Sequence, residues 1–212
     1  MRTWTLAQLQ AFLRFTADDD YHVGYVLAAC CGLRRGEVCG LRWSDIDLDG
    51  GDAFGPHLRV RQQLVDVDYA ISFSEPKTAK SRRVVALDET VVAVLRRHRT
   101  RQRKDRFALG AAYDDRDLVL ARADGSPVQP SNFVQVFARR VGEADVPAIR
   151  FHDLRHTHAT LSLQAGIHPK IVSERLGHSS AAFTLDTYSH ALPSLQAEAA
   201  ATFGALVYGQ LH

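Results

Sequence analysis

The sequence predicts an α+β fold, mainly α-helical with a small three-stranded antiparallel sheet. Two patterns carry that reading. From His57 to Leu87 apolar and polar residues alternate, the period of a half-buried strand, while the flanking segments show helix caps and apolar helical stretches. With 212 residues and 46% hydrophobic content, the chain can bury one well-formed core, so residues 1–212 are read as a single domain.

Thr5-Leu6-Ala7-Gln8 has the form of a capping box, because the Thr hydroxyl can accept from a free amide while Gln8 reaches back to the cap. A helix from about 5 to 17 follows. Tyr21 through Cys31 is apolar enough for a buried helix ended by Gly32, and Arg35 to Leu41 reads as another turn or two, which puts Arg34 at a helix-helix corner. Leu58, Val60, Gln62 and Leu64 alternate with Arg59 and Arg61 to give a first strand. Val67 to Phe73 gives a second and Arg83 to Leu87 a third, with Lys77 on the loop before it. Further helices are expected at about 88–107, 130–142, 153–165 and 169–176, with a tail helix at about 193–208. Pro169 suits a first helical position and Gly177 a C-terminal cap.

Composition narrows the function classes. No apolar run approaches the roughly 20 residues of a membrane span, and the N-terminus lacks the form of a signal peptide, so a cytoplasmic protein is expected. Cys30, Cys31 and Cys39 are odd in number and form no C-x-x-C pair, so they read as reduced core residues rather than a disulfide or zinc framework. A formal charge of +2 is too small to argue for a nucleic-acid partner, but its distribution is uneven: Arg96 to Arg106 holds seven basic residues against one Asp. Arg96, Arg97, Arg99, Arg101 and Arg103 are therefore candidate DNA-backbone contacts.

The chemistry-bearing residues fall in a fixed order. Gly32-Leu33-Arg34-Arg35-Gly36-Glu37 and Pro76-Lys77-Thr78 precede His152-Asp153-Leu154-Arg155, Leu176-Gly177-His178 and finally Thr187-Tyr188-Ser189-His190. Alone, each is an ordinary residue. Together they supply what phosphodiester cleavage needs: charge stabilisation on the non-bridging oxygens, a proton for the leaving oxygen and a nucleophile. Arg34 and Arg155 can clamp a phosphate with planar forks that stay charged. Lys77, crowded by cations, can protonate the leaving oxygen. His152, three residues before Arg155 on one helical face, can accept the nucleophile's proton. His178 can donate to a phosphate oxygen, and Tyr188 is the nucleophile, in a hydroxyl-rich segment expected to leave its oxygen exposed. Glu37 is expected to form a salt bridge that orients Arg34, and Asp153 to fix a neighbour rather than do chemistry. His152 and Asp153, with His156 and His158 nearby, also suggest a metal-dependent phosphohydrolase, but the full ordered set favours chemistry without metal or cofactor.

This ordered set resembles closely the catalytic domain of the tyrosine recombinase, or phage-type integrase, family, over Trp4 to about Leu192. The resemblance implies Arg34, Lys77, His152, Arg155 and His178 around a scissile phosphate of double-stranded DNA. Attack by Tyr188 would give a 3′-phosphotyrosyl link and a free 5′-hydroxyl, with site-specific strand exchange as the outcome. A type IB topoisomerase shares this chemistry and is the alternative, with Leu176-Gly177-His178 and the chain length favouring a recombinase. Family members carry an N-terminal core-binding domain, expected to be absent here, and act as homotetramers on DNA; the isolated domain is compatible with a monomer. The tail beyond Tyr188, with Leu192, Leu195, Phe203, Leu206 and Val207 on an apolar face, resembles a helix that docks on a neighbouring subunit or folds back on its own.

Overall fold

Tyr21–Cys31 is the most uniformly apolar helical stretch, and a helix apolar all round belongs at the centre of a domain. The computed structural model, which describes residues 2–51, 53–67, 70–75, 81–178, 180–188 and 195–209, puts it there. Helix α2 (His22–Cys31) has nine buried residues and packs against α1 (Leu6–Phe15), α3 (Arg35–Gly40), α4 (Glu89–Leu109) and α6 (Phe151–Gln164). The capping box of α1 forms as expected, Gln8 N donating to Thr5 Oγ1 at 3.3 Å and Thr5 N to Gln8 Oε1 at 2.9 Å. Trp4 then ties α1 to α6 through Thr157, and its ring sits 5.0 Å from Phe12 in an aromatic core. Tyr25, Phe133 and Phe137 of α2 and α5 (Pro130–Glu143) complete that core with Phe151, whose ring lies 4.8 Å from Phe133.

The β region departs from the expected three strands in its connectivity. Strands β1 (Ile46–Asp47), β2 (His57–Val60) and β5 (Arg83–Ala86) form an antiparallel sheet in the order β1-β2-β5. Strands β3 (Gln63–Val67) and β4 (Ala70–Ser74) form a separate hairpin. The first expected strand therefore breaks at Arg61 and Gln62. The cause is α3: β3 lies directly on it, and Gln62 Nε2 caps the α3 terminus by donating to the Gly40 carbonyl at 2.6 Å. A Cβ on Gly40 would stand 2.7 Å from the Leu64 amide, so the close crossing needs glycine there. The two-residue β1 carries too short a pattern to be read from sequence.

Two more helices follow α6: α7 (Pro169–Leu176), closed by Gly177 in the left-handed region as expected, and α8 (Ala181–Tyr188). Helix α8 was expected only as a hydroxyl-rich segment. Its hydroxyls find partners in the fold instead: Thr187 Oγ1 donates to the Phe183 carbonyl of the same helix and the fully buried Thr184 meets His178. The tail helix α9 (Leu195–Tyr208) matches the expected span, and Leu192 lies outside the described residues. The three cysteines are free thiols, with Cys31 and Cys39 buried. No helix is long and apolar enough to cross a membrane among the described residues.

Burial pushes His98 and His158 down to about 4. An unfolded histidine near ~6.5 therefore binds its proton first on acidification, so this contribution to stability is full above pH ~6.5 and is lost as pH falls towards ~4. The melting temperature is expected to fall steadily on going from about pH 7 to about pH 5. A melting temperature that stays constant across that interval would contradict the assignment of these two histidines as buried and neutral.

Candidate active site

Four chain segments meet at the C-terminal end of α7. Gly32 ends α2 in the left-handed region, with φ +66°, and a Cβ there would lie 2.5 Å from the Leu176 side chain. The turn releases two features: the Gly32 carbonyl, and Arg34 at the start of α3. Arg155, one turn into α6 and buried, donates through Nη1 to the Gly32 carbonyl at 2.6 Å and through Nη2 to the Leu176 carbonyl. Arg34 donates through Nη2 to the next carbonyl, Gly177, at 3.4 Å. Both arginines expected to clamp an anion thus converge on consecutive peptide units, with His178 the following residue.

Glu37 contacts Arg34, the neighbour it was expected to orient, and also a third guanidinium that sequence reading missed. Glu37 is 3% exposed and accepts from Arg34 Nη1 at 2.8 Å, and from Arg83 Nη1 and Nη2 at 3.0 and 2.8 Å. Burial alone would raise its pKa, but the two arginines hold its carboxyl below the ordinary range. Arg83, on β5, also donates through Nε to the Arg175 carbonyl at 2.6 Å. Its signal in the sequence was faint, a charged residue opening a strand. Burial, with Arg34 and Arg83 alongside, lowers the pKa of Arg155. Among the described residues, three neighbouring guanidiniums and one buried carboxylate leave an excess of positive charge, the condition that favours an entering anion.

His178 is half-buried, with Nδ1 at 2.9 Å from Thr184 Oγ1, and burial together with Arg155 and Arg34 pushes it down to about 4. His152 stands on the first turn of α6, exposed at the surface, its pKa lowered by partial loss of hydration and by Arg155. The neighbour that Asp153 holds is Arg150: it accepts from the Arg150 backbone at 3.0 Å and from its guanidinium at 3.1 Å.

Tyr188 differs from expectation. Its ring is 1% exposed and packs among Ala159, Leu163, Val172 and Leu176, because α8 folds it against α6 and α7. Its hydroxyl sits 2.7 Å from His156 Nδ1, and burial raises its pKa while Arg155 lowers it. His156, not His152, is thus the group in contact with the phenol; His152 packs edge-on to the His156 ring at 4.8 Å. Burial first, and His152 next, pushes His156 down to about 4, so a neutral imidazole faces the tyrosine. The only sequence signal was its place directly after Arg155.

His158 turns away to the Ala29 carbonyl at 3.0 Å. Among the described residues there is no group of three or more His, Cys, Asp or Glu side chains that could hold a metal ion. Lys77 lies outside the described residues. The arginines of α4 are not brought to this site. Arg97 and Arg101 bond the Ala17 and Asp20 carbonyls at the far end of α2, a helix of ~15 Å by its rise per residue, and Arg96 bonds Asp49. Arg99 stacks over Trp43 at 5.1 Å. Arg103 lines the cleft beside that ring.

Residues 5–194 match the profile of the phage integrase family. The chain belongs to the phage integrase family. A protein described as "Tyrosine recombinase XerC-like" from Caldanaerobacter subterraneus subsp. tengcongensis is 32% identical over 86% of this chain and 48% of its own length. The ICEBs1 integrase of Bacillus subtilis is 28% identical over 94% of this chain and 53% of its own. The chain thus spans about half the length of these curated relatives. Among solved structures, the Tn1549 transposon integrase in complex with transposon right end DNA superposes with a TM-score of 0.76 at 25% identity, over 93% of this chain and 64% of that one. The XerA recombinase, at 21% identity and a TM-score of 0.71 over 93% of this chain and 65% of that one, shares the fold.

Removing one partner of a buried ion pair leaves the other charge unpaired, so Glu37→Gln is expected to cost about 3–5 kcal/mol in denaturant unfolding. A loss of less than about 1 kcal/mol, the scale of an exposed pair, would mean that Glu37 does not hold the arginine cluster together.

Proposed function

We propose that the protein is a site-specific tyrosine recombinase or integrase that cuts and rejoins double-stranded DNA through a 3′-phosphotyrosyl intermediate. The observation that carries the reading is the convergence of Arg34, Arg155 and His178 on the Leu176–Gly177 turn, with the Tyr188 phenol within Coulombic reach of Arg155. Family membership and the recombinases and integrases among its relatives support the same reaction. They also leave the type IB topoisomerase alternative without support.

In the reaction the scissile phosphate displaces solvent beside Arg34 and Arg155, whose guanidiniums stabilise its non-bridging oxygens as charge builds, and His178 donates to one of them. The Tyr188 oxygen forms a bond to phosphorus while the bond to the 5′ oxygen breaks. The phenol proton passes to His156, its hydrogen-bond partner, with His152 behind it. Lys77, assigned on sequence grounds alone, protonates the leaving 5′ oxygen. Reversal by a 5′-hydroxyl from a partner strand restores the phosphodiester, so the bond energy is conserved and the chemistry draws on no metal or nucleotide. Glu37 and Arg83 hold Arg34 in place. Asp153 acts more remotely, through Arg150.

Strand exchange between two duplexes calls for a homotetramer on DNA, with the isolated domain monomeric until it binds, and places the protein in the cytoplasm with its substrate. The tail helix α9 supplies a contact between subunits: Phe203, Leu206 and Tyr208 are 67%, 76% and 68% exposed, more apolar surface than a helix folded back on its own domain would leave.

Incubation with a nicked duplex, followed by denaturing electrophoresis, is expected to show a covalent protein-DNA band that Tyr188→Phe abolishes. An adduct persisting in Tyr188→Phe would move the nucleophile elsewhere. Arg155→Ala is expected to keep DNA binding and slow cleavage about 10²–10³-fold, the effect of losing one transition-state donor; cleavage at the wild-type rate would refute its role.

A further inference from the structure

Helix α2 ends at Cys31, so its last carbonyls, from Ala29 on, have no amide of the helix left to accept from. Side chains from elsewhere in the chain take up three of the carbonyls there. His158 Nδ1 lies 3.0 Å from the Ala29 carbonyl, Arg175 Nη2 donates to the Cys30 carbonyl at 3.3 Å, and Arg155 Nη1 donates to the Gly32 carbonyl at 2.6 Å. Two of these side chains leave α6 from the same face. Arg155 and His158 are three residues apart, as are Gly32 and Ala29, so the two bonds cross one helix-helix interface in register.

A carbonyl can only accept, so His158 Nδ1 carries the ring proton and Nε2 is left with a lone pair. That Nε2 is buried and has no hydrogen-bond partner among the described residues. A buried acceptor without a donor is disfavoured, and an apolar ring of the same size would carry no such cost. Histidine at this position is therefore explained by what Nδ1 does, not by how the ring packs. The ring also lies directly against the turn: a Cβ on Gly32 would stand 3.0 Å from His158 Cδ2. Burial first, and Arg175 next, pushes the imidazole down to about 4, so the donor is held without adding charge beside the arginines.

We propose that His158 is a positioning residue for DNA cleavage, holding the end of α2 so that the Gly32 turn sets Arg155 and Arg34 for one phosphate. The proposal rests on the recombinase reading above. His158 acts through the backbone. Its bond fixes the last turn of α2 at Ala29, that turn fixes the Gly32 carbonyl on which Arg155 rests, and Arg34 follows two residues on. Orientation of this kind is exacting, since a misplacement of about 1 Å costs on the order of 10²-fold in rate. Arg155 and Arg175 still hold the end of α2 when His158 loses its donor, so the rate is lowered rather than abolished.

The test crosses two substitutions. His158→Phe keeps the ring volume and removes the N–H, whereas His158→Asn gives up the volume and places an amide N–H where Nδ1 stood. Each is compared with wild type for the rate of covalent adduct formation on saturating nicked duplex, below all three melting temperatures, and for duplex affinity by fluorescence anisotropy. His158→Phe is expected to slow adduct formation about 10-fold with affinity unchanged, and His158→Asn to restore the wild-type rate although it melts below wild type. A role in packing alone predicts the opposite order, with His158→Asn the slower, and that order overturns the proposal. A wild-type rate in His158→Phe overturns it too, as does a loss confined to affinity. If His158→Phe does not fold, a slow His158→Asn overturns the proposal and a wild-type rate supports it. Wild-type protein that forms no adduct sinks the recombinase reading and this role together.

Discussion

A buried carboxylate among guanidiniums organises this protein. Glu37 sits on the shortest major helix, and taking its charge out of water would be prohibitive without strong partners. Arg34 and Arg83 satisfy it from opposite directions, so the ion pairs weld the start of α3 to the edge strand β5. Arg83 extends the weld to the last turn of α7 through the Arg175 carbonyl, and Arg155 closes the circuit by bridging the ends of α2 and α7. Elements far apart in the chain are therefore fixed relative to one another by polar contacts, where the aromatic core around Phe133 fixes only their packing.

The placement of those arginines at helix C-termini has a chemical consequence. Gly32 and Gly177 both end helices in the left-handed conformation, and the carbonyls beside them carry the negative ends of two helix dipoles. Arg155 and Arg34 spend some donors on these carbonyls, which holds the forks in place before substrate arrives. Arginine has five N–H donors, so the remainder stay available to an anion. A phosphate then meets groups already oriented and already repelling one another, and binding it relieves that repulsion. Preorganisation of this kind stabilises developing charge without reorganising the protein at the moment of reaction.

How much of this was legible depended on whether the signal was local. Caps were: the Thr5 to Gln8 box, Pro169 at the start of α7 and the two closing glycines all carry a residue type with a specific backbone or hydrogen-bond requirement. The ordered motif singled out Arg34, Arg155 and His178, which the fold brings together, because each is flanked by such a signal. Arg83 was not legible, because its role arises only when β5 crosses above α3, a contact between residues 46 positions apart. The sheet was read with one strand too continuous for the same reason, since the break at Gln62 is imposed by α3. Helix α8 was hidden by its threonines, whose side chains compete for backbone groups and lower helix propensity. The protein partners of the α4 arginines were not legible, because a run of like charge says nothing about which carbonyls and carboxylates the fold will bring to it.

The burial of Tyr188 bears on how the proposed chemistry is kept silent without substrate. A phenol with pKa raised by burial, facing an imidazole pushed down to about 4, cannot pass its proton on: both partners are held neutral. A phosphate entering beside Arg155 changes that balance. Its negative charge makes His156 and His178 better proton acceptors, while the arginines offset its effect on the tyrosine oxygen. Reactivity of the nucleophile then becomes conditional on the anion it is meant to attack. The packing of α8 against α6 and α7, which places the phenol on His156, therefore belongs to the proposed chemistry as much as to the fold.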